Sequence, residues 1–308
     1  MLQKLSLKHI TAVIILLKLA LLVFLICKVV AYSRESVGFT FSQEFFIFIG
    51  VGFLAQLIDG TLGMAYGVSC STLLLSFGVS PAVATASVHT AEVFTTGVSG
   101  LSHLFLGNVN KTLLLRIVVP GIIGAVVGAY LISKVLDGDM IKPFISAYLL
   151  ILGTVILIKS YQPLKQREKT RRIPLLGLAG GFLDAIGGGG WGPIVTSNLI
   201  VQGKTPKETI GTVNTAEFFI AFFSTGVFLF FVGIESWQVV AGLIIGGVLA
   251  APIGALVAKR INPRILMRLV GIIIVLISTY TIYASLAAGG SLVFGGMPAA
   301  ASAAIGGE

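Results

Sequence analysis

The stretch GLAGGFLDAIGGGGWGP, Gly177 to Pro193, sets an aspartate and four consecutive glycines inside a run otherwise apolar enough for a lipid bilayer. Backbone in hydrocarbon must satisfy its own hydrogen bonds, so chain that unwinds at membrane depth survives only buried in protein or lining a polar cavity. Composition places it at that depth. Of 308 residues, 56% are hydrophobic and 11% charged, with mean hydropathy +1.02, against roughly 25% charged in a soluble domain. This is the composition of an all-α polytopic membrane protein. The formal charge of +9 would suggest nucleic acid in a soluble chain, but here Lys and Arg sit in short connections where they set orientation, so nucleic acid is set aside as a partner. Cys27 and Cys70 lie in apolar runs without metal-site or disulfide spacing.

Apolar runs long enough to span about 30 Å of hydrocarbon occur near 10–31, 81–106, 112–133, 141–160, 206–233, 237–258 and 264–286, predicting seven spanning helices. The first is read as a retained helix, since it carries Lys18 and lacks a small-residue cleavage site. Two segments, 45–79 and 175–203, are too long or too interrupted for one ordinary crossing. At an offset of 125, GFLAQLIDGTLGMAYGV from Gly52 aligns with the opening stretch and runs on without a gap, with 15 identities over the 59 positions 52–110. Asp59 falls on Asp184, Gly63 on Gly188, Tyr66 on Trp191, Gly67 on Gly192, and Thr90, Ala91 and Glu92 on Thr215, Ala216 and Glu217. The chain is an internal duplication, as transporters often are. It divides into an N-terminal helix with its connection (1–44), a first repeat (45–160), a basic cytoplasmic linker (161–173), a second repeat (174–286) and a Gly/Ala tail expected to be disordered (287–308).

Charge decides how the broken segments thread. With KQREKTRR, residues 165–172, taken as cytoplasmic, hairpins that dip and return leave sixteen basic residues inside and four outside, whereas hairpins that cross give ten and ten. The re-entrant arrangement is therefore expected. Each repeat then has three full crossings, an odd number, so the second is inverted relative to the first. The N-terminus is cytoplasmic and the C-terminus periplasmic on this reading.

A helix restarting after such a break presents unpaired N–H groups and the positive end of its dipole, and glycine lets a ligand approach them. The pattern points to a small anion held near the midplane by Gly187, Gly188, Gly189 and Gly190, with Gly60, Thr61 and Gly63 as the first-repeat counterpart. Tyr66 and Trp191 are expected to flank the cavity, and Thr90 and Thr215 to line it or to bond back to their own helices. His89 faces Asn214 in the alignment, so one half alone carries an imidazole, a source of pH dependence or a packed hydrogen-bonding group. Asp59, Asp184, Glu92 and Glu217 are intramembrane carboxylates, for which both proton coupling and structural capping stay open. Gln56 and Asn198 have weaker claims, and Lys18 snorkels or meets another subunit.

The doubled glycine-rich hairpin with its leading aspartate, together with HTAE (89–92) and NTAE (214–217), resembles the sulfite exporter TauE/SafE family over about residues 45–285. The first hairpin departs from the glycine-rich form, reading DGTLGMAYG against DAIGGGGWG. The resemblance implies export of sulfite, organosulfonates or other small anions across the bacterial inner membrane, with no cofactor or metal. A coupling proton and a homo-oligomer are compatible with it.

Other classes fit less well. HExxH and GxxxxGK patterns are absent, and no connection is large enough to bind ATP. An intramembrane enzyme using Asp59 and Asp184 as a carboxylate pair leaves the glycines unexplained. An anion channel built on re-entrant selectivity hairpins is the stronger competitor to a secondary carrier.

Overall fold

A computed structural model describes residues 7–35, 41–161, 172–202, 205–233, 237–257 and 263–287. Most of the expected basic linker and of the expected tail lies outside these residues, as does the side chain of Thr61. All regular elements among the described residues are helical: α1 (Leu7–Glu35), α2 (Gln43–Leu62), α3 (Tyr66–Ser76), α4 (Pro81–Phe105), α5 (Lys111–Tyr130, running into a π-type turn at Leu131–Val135), α6 (Gly138–Tyr161), α7 (Ile173–Gly187), α8 (Ser197–Val201, entered through a π-type turn at Gly192–Thr196), α9 (Pro206–Phe231), α10 (Trp237–Val257) and α11 (Pro263–Ala287). At the offset of 125, α2 corresponds to α7, α4 to α9, α5 to α10 and α6 to α11.

Local chemistry places the boundaries. Pro81 and Pro206 open α4 and α9 in the first turn, where a missing N–H costs nothing. Asn110 caps α5 by accepting the Leu113 N–H at 2.9 Å. Gly63 (φ 65°) and Gly188 (φ 64°) end α2 and α7 in the left-handed region, the usual glycine helix stop. Among the described residues, four helical stretches are long and apolar enough to cross a bilayer: Leu7–Lys28, Lys111–Val135, Met140–Tyr161 and Lys207–Phe231. The apolar parts of α10 and α11 are shorter, Trp237–Ile253 and Met267–Tyr283. Helix α4 has the length, 25 residues, but its buried side carries Thr85, Ser87, His89, Thr90, Glu92 and Thr95, which lowers its hydropathy.

Contact registers give the relative directions. Corresponding helices pack antiparallel: α4 meets α9 with Gly100 on Thr215 and Asn108 on Gly211, and α6 meets α11 with Gly153 on Ile274 and Leu157 on Gly271. The other large contacts are exchanged between repeats and parallel. Along α5 and α7, Ile117 meets Gly177, Gly121 meets Gly181 and Gly128 meets Phe182; along α2 and α10, Phe45 meets Gly242 and Phe53 meets Gly246. Antiparallel counterparts related by one constant offset define a pseudo-two-fold axis perpendicular to the helices, so the repeats are inverted.

The same registers show that the hairpins turn back. Helix α5 also runs parallel to α9, with Asn110 bonded to Glu208 and Gly121 beside Ile220. Helices α7 and α9 thus both begin level with the start of α5, and the chain between them must return to the side from which α7 came. This agrees with the re-entrant threading expected from charge.

Without a hydrophobic drive between helices in lipid, close approach at small residues supplies the packing. A Cβ on Gly124 would lie 2.0 Å from the Leu178 carbonyl oxygen, and one on Gly246 equally close to that of Ile49. Gly124→Val and Gly246→Val are therefore expected to lower stability by about 3 kcal/mol, read as thermal unfolding in detergent. Gly226→Ala, with no atom within 4 Å of its would-be Cβ, should leave the transition unmoved.

Candidate functional site

The two helix breaks meet each other. A Cβ on Gly67 would lie 2.9 Å from Gly188 O and 2.9 Å from Gly189 Cα; one on Gly192, the counterpart of Gly67, would lie 2.9 Å from Gly63 O and 2.5 Å from Met64 Cα. The contact is reciprocal, as a two-fold axis requires. Hydroxyls repeat the pattern: Ser71 Oγ donates to Gly188 O, and its counterpart Thr196 Oγ1 donates to Gly63 O at 2.9 Å. Each hairpin thus satisfies the carbonyl that the other leaves free at its left-handed glycine.

Each break also carries its own carboxyl group. The carbonyl of Asp184 accepts the N–H groups of Gly188 and Gly189, and its carboxylate Oδ1 accepts the Trp191 N–H at 2.9 Å. In the first repeat Asp59 O accepts the Gly63 N–H at 2.6 Å, and the Asp59 carboxylate accepts the Tyr66 N–H. The aspartates therefore cap both the stopping helix and the restarting one. Of the four glycines expected to offer N–H donors to a ligand, Gly188 and Gly189 spend theirs inside the hairpin in this conformation. Gly187 and Gly190 are covered by Tyr148, whose ring and hydroxyl occupy the space that their side chains would need.

Four carboxylates surround this meeting point. Asp59, Asp184, Glu92 and Glu217 are 1–5% exposed and close enough to interact electrostatically. His89 Nδ1 donates to Thr85 O at 2.9 Å, and Nε2 lies 3.3 Å from Asp184 Oδ2, an ion-pair contact outside good hydrogen-bond alignment. His89, Glu92 and Asp184 each bring one ligand-capable atom within 4.8 Å of the others. Oxygen Oε2 of both Glu92 and Glu217 is buried without a partner, as are Asp59 Oδ2 and both amide atoms of Gln56.

The remaining candidates are placed more plainly. Thr90 and Thr215 each donate to the carbonyl four residues back, Ala86 and Gly211, both at 2.7 Å. Tyr66 and Trp191 are wholly packed, with the Tyr66 hydroxyl 3.4 Å from Leu243 O and Trp191 Nε1 donating to Val213 O at 3.2 Å, so here they anchor the restarting helices. Gly60 sits in the last turn of α2 and is buried. Asn214 Nδ2 donates to Ser99 Oγ at 2.9 Å. Lys18 lies along Gly97 of α4, and Asn198 bonds Ile194 O on an exposed surface. Sequence reasoning missed Ser71, Thr196, Thr85 and Tyr148. Ser71 and Thr196 occupy matched positions with like chemistry, a signal available once the repeats are aligned by function rather than identity. Tyr148 has Ile273 as its counterpart and left no such trace.

Comparison with known proteins is consistent with this arrangement. Residues 48–281 match the family model described as "Sulfite exporter TauE/SafE". The "Probable membrane transporter protein YtnM" of Bacillus subtilis (strain 168) is 45% identical over 250 residues, covering 78% of this chain and 83% of that protein. No solved structure matches the chain significantly.

The crossed hydroxyl bonds are open to a direct check. Ser71→Ala and Thr196→Val each strand a buried glycine carbonyl, and each is expected to cost about 1–3 kcal/mol in thermal or denaturant unfolding in detergent. Valine keeps the volume of threonine, so the second variant reads the hydrogen bond with little packing change.

Proposed function

The chain belongs to the sulfite exporter TauE/SafE family and is a membrane transporter, and on that premise we propose a secondary carrier of small anions, sulfite or organosulfonates, moved with protons across the cytoplasmic membrane. The observation that carries this reading is the reciprocal packing of two re-entrant tips, arriving from opposite faces, amid four buried carboxylates. A pair of inverted bundles meeting at one point suits alternating access, in which one rocks against the other around a fixed site. When the tips part, Gly187 to Gly190 and Gly60, Thr61 and Gly63 lie beside the point where an anion enters, next to the positive N-terminal ends of the half-helices that restart at Tyr66 and Gly192. Tyr66 and Trp191 border it, with Thr90, Thr215, His89 and Asn214 on the helices behind.

The carboxylates decide the coupling. An anion beside several ionised carboxylates is repelled, and an unpaired charge at this depth costs several kcal/mol. Neutralising them by protonation removes both costs, so the proton-loaded state is the one that admits the anion, and the two ions move together. Net direction follows the two gradients, outward only where the outward anion gradient exceeds the inward proton gradient. The N-terminus lies on the cytoplasmic side in this reading, and the substrate leaves chemically unchanged.

In proteoliposomes, an imposed inward proton gradient should accumulate radiolabelled sulfite above its own equilibrium, and Gly189→Leu, which wedges the tips against Val68, should abolish uptake while the purified protein stays monodisperse. Uptake that only equilibrates with the membrane potential would identify a channel. In detergent, thermal stability should rise selectively with sulfite, thiosulfate or sulfoacetate over phosphate and acetate; a flat response across several pH values would count against a small-anion carrier.

A further inference from the structure

The pseudo-two-fold symmetry holds closely in the contacts between the hairpins and breaks beside the two aspartates. Ser71 with Gly188 corresponds to Thr196 with Gly63, and Asp184 with the Trp191 N–H corresponds to Asp59 with the Tyr66 N–H. Even the packing behind the left-handed glycines repeats, with Thr85 Cβ 3.3 Å from the would-be Cβ of Gly188 and Ile210 Cβ 3.3 Å from that of Gly63. By the same operation, the contact of His89 with Asp184 should recur between Asn214 and Asp59. It does not. Asn214 turns its amide nitrogen to Ser99 and leaves its Oδ1 unpartnered.

The two aspartates therefore differ in kind. Asp184 has the His89 imidazole 3.3 Å from Oδ2 and a backbone donor on Oδ1. Asp59 has the Tyr66 N–H, while its Oδ2 meets nothing, and Gln56, one turn earlier on the same face of α2, is fully buried with both amide atoms unpartnered. Gln56 also has no polar counterpart, since Gly181 holds its place in the second repeat. Buried polar groups nearly always find partners; Asp184 Oδ2 and His89 Nε2 also lack a hydrogen bond but have each other at 3.3 Å, whereas among the described residues no ion-pair contact reaches Asp59 Oδ2, which marks the place where a partner comes and goes.

We propose that Asp59, backed by Gln56, carries the exchangeable proton of the transport cycle, whereas Asp184 is held by His89 as a fixed structural latch. The proposal rests on the carrier reading above and divides roles that symmetry would make equal. An ionised Asp59 would be an unpaired buried charge, and a proton on Oδ2 removes that cost. The ionisable groups around it are Tyr66 and Cys70 from α3, Glu92 and His89 from α4, Asp184 from α7 and Glu217 from α9; α10, the helix packed along α2, contributes none. Of these only His89 is able to carry positive charge, and its Nε2 lies against Asp184. Asp59 thus lacks any counter-charge other than a proton, and the residue that would supply one by symmetry is an asparagine.

Infrared spectroscopy of the reconstituted full-length protein tests this without any substrate. A protonated-carboxyl C=O absorption that titrates with pH should lose a component in Asp59→Asn and keep it in Asp184→Asn. Asn214→His should also lose it, because the new imidazole gives Asp59 the latch that Asp184 already has. Persistence of that component in Asp59→Asn or in Asn214→His, or its loss in Asp184→Asn, would overturn the assignment. In proteoliposomes carrying radiolabelled sulfite, Asp59→Asn and Asn214→His should reduce proton-driven accumulation to the level set by membrane potential alone. Accumulation driven by a sodium gradient and lost in Asp59→Asn would replace the proton by sodium and refute the proposal. Failure of the wild-type protein to accumulate sulfite would count against the carrier reading alone, since the infrared comparison still decides the role of Asp59.

Discussion

Unwound backbone at membrane depth has to find hydrogen-bond partners inside the protein, and the architecture follows from how this chain meets that demand twice. Each break exposes a glycine carbonyl and the N–H groups of a restarting half-helix. The carbonyls are satisfied from across the axis, by Ser71 and Thr196. The donors are satisfied from within, by the carboxylates of Asp59 and Asp184. Neither hairpin is complete alone, which ties the inverted repeats together at their tips. The glycines at this junction are required by approach distance as much as by backbone conformation, since a side chain on Gly67, Gly189 or Gly192 would run into the opposing backbone.

Duplication followed by divergence gives the site its chemistry. Two-fold symmetry alone would supply two equal aspartates, two equal glutamates and no preferred proton. The exchange of histidine for asparagine between positions 89 and 214, of glutamine for glycine between 56 and 181, and the unmatched Tyr148 make the halves unequal while the scaffold stays symmetric. On the carrier reading proposed above, stability resides mainly in the shared features, and ion handling in the unshared ones.

Much of this was legible in the sequence. Helix boundaries at Pro81, Pro206, Gly63 and Gly188 follow from local chemistry, and inversion followed from the balance of Lys and Arg between connections. The alignment at offset 125 placed Asp59 with Asp184 and Glu92 with Glu217, and the structure gathers all four. What the sequence could not reveal were orientations. Whether the N–H groups of Gly188 and Gly189 face a ligand or the carbonyl four or five residues back depends on how tightly the turn winds. That His89 reaches across to the other repeat, while Asn214 does not reach back, depends on side-chain rotamers, and Ser71 and Thr196 became visible only when the tips were seen to touch.

The central claim is that the two hairpins dip from opposite faces and return. It is tested most directly by single cysteines at Ser80 and Thr205, corresponding exposed positions where each returning segment enters the next helix, in a protein whose Cys27 and Cys70 have been replaced. With a membrane-impermeant maleimide applied to vesicles of defined orientation, the account requires these two sites to be labelled from opposite sides. Labelling of both from the same side would mean that the hairpins cross the membrane, that the repeats are parallel, and that the site described here does not exist.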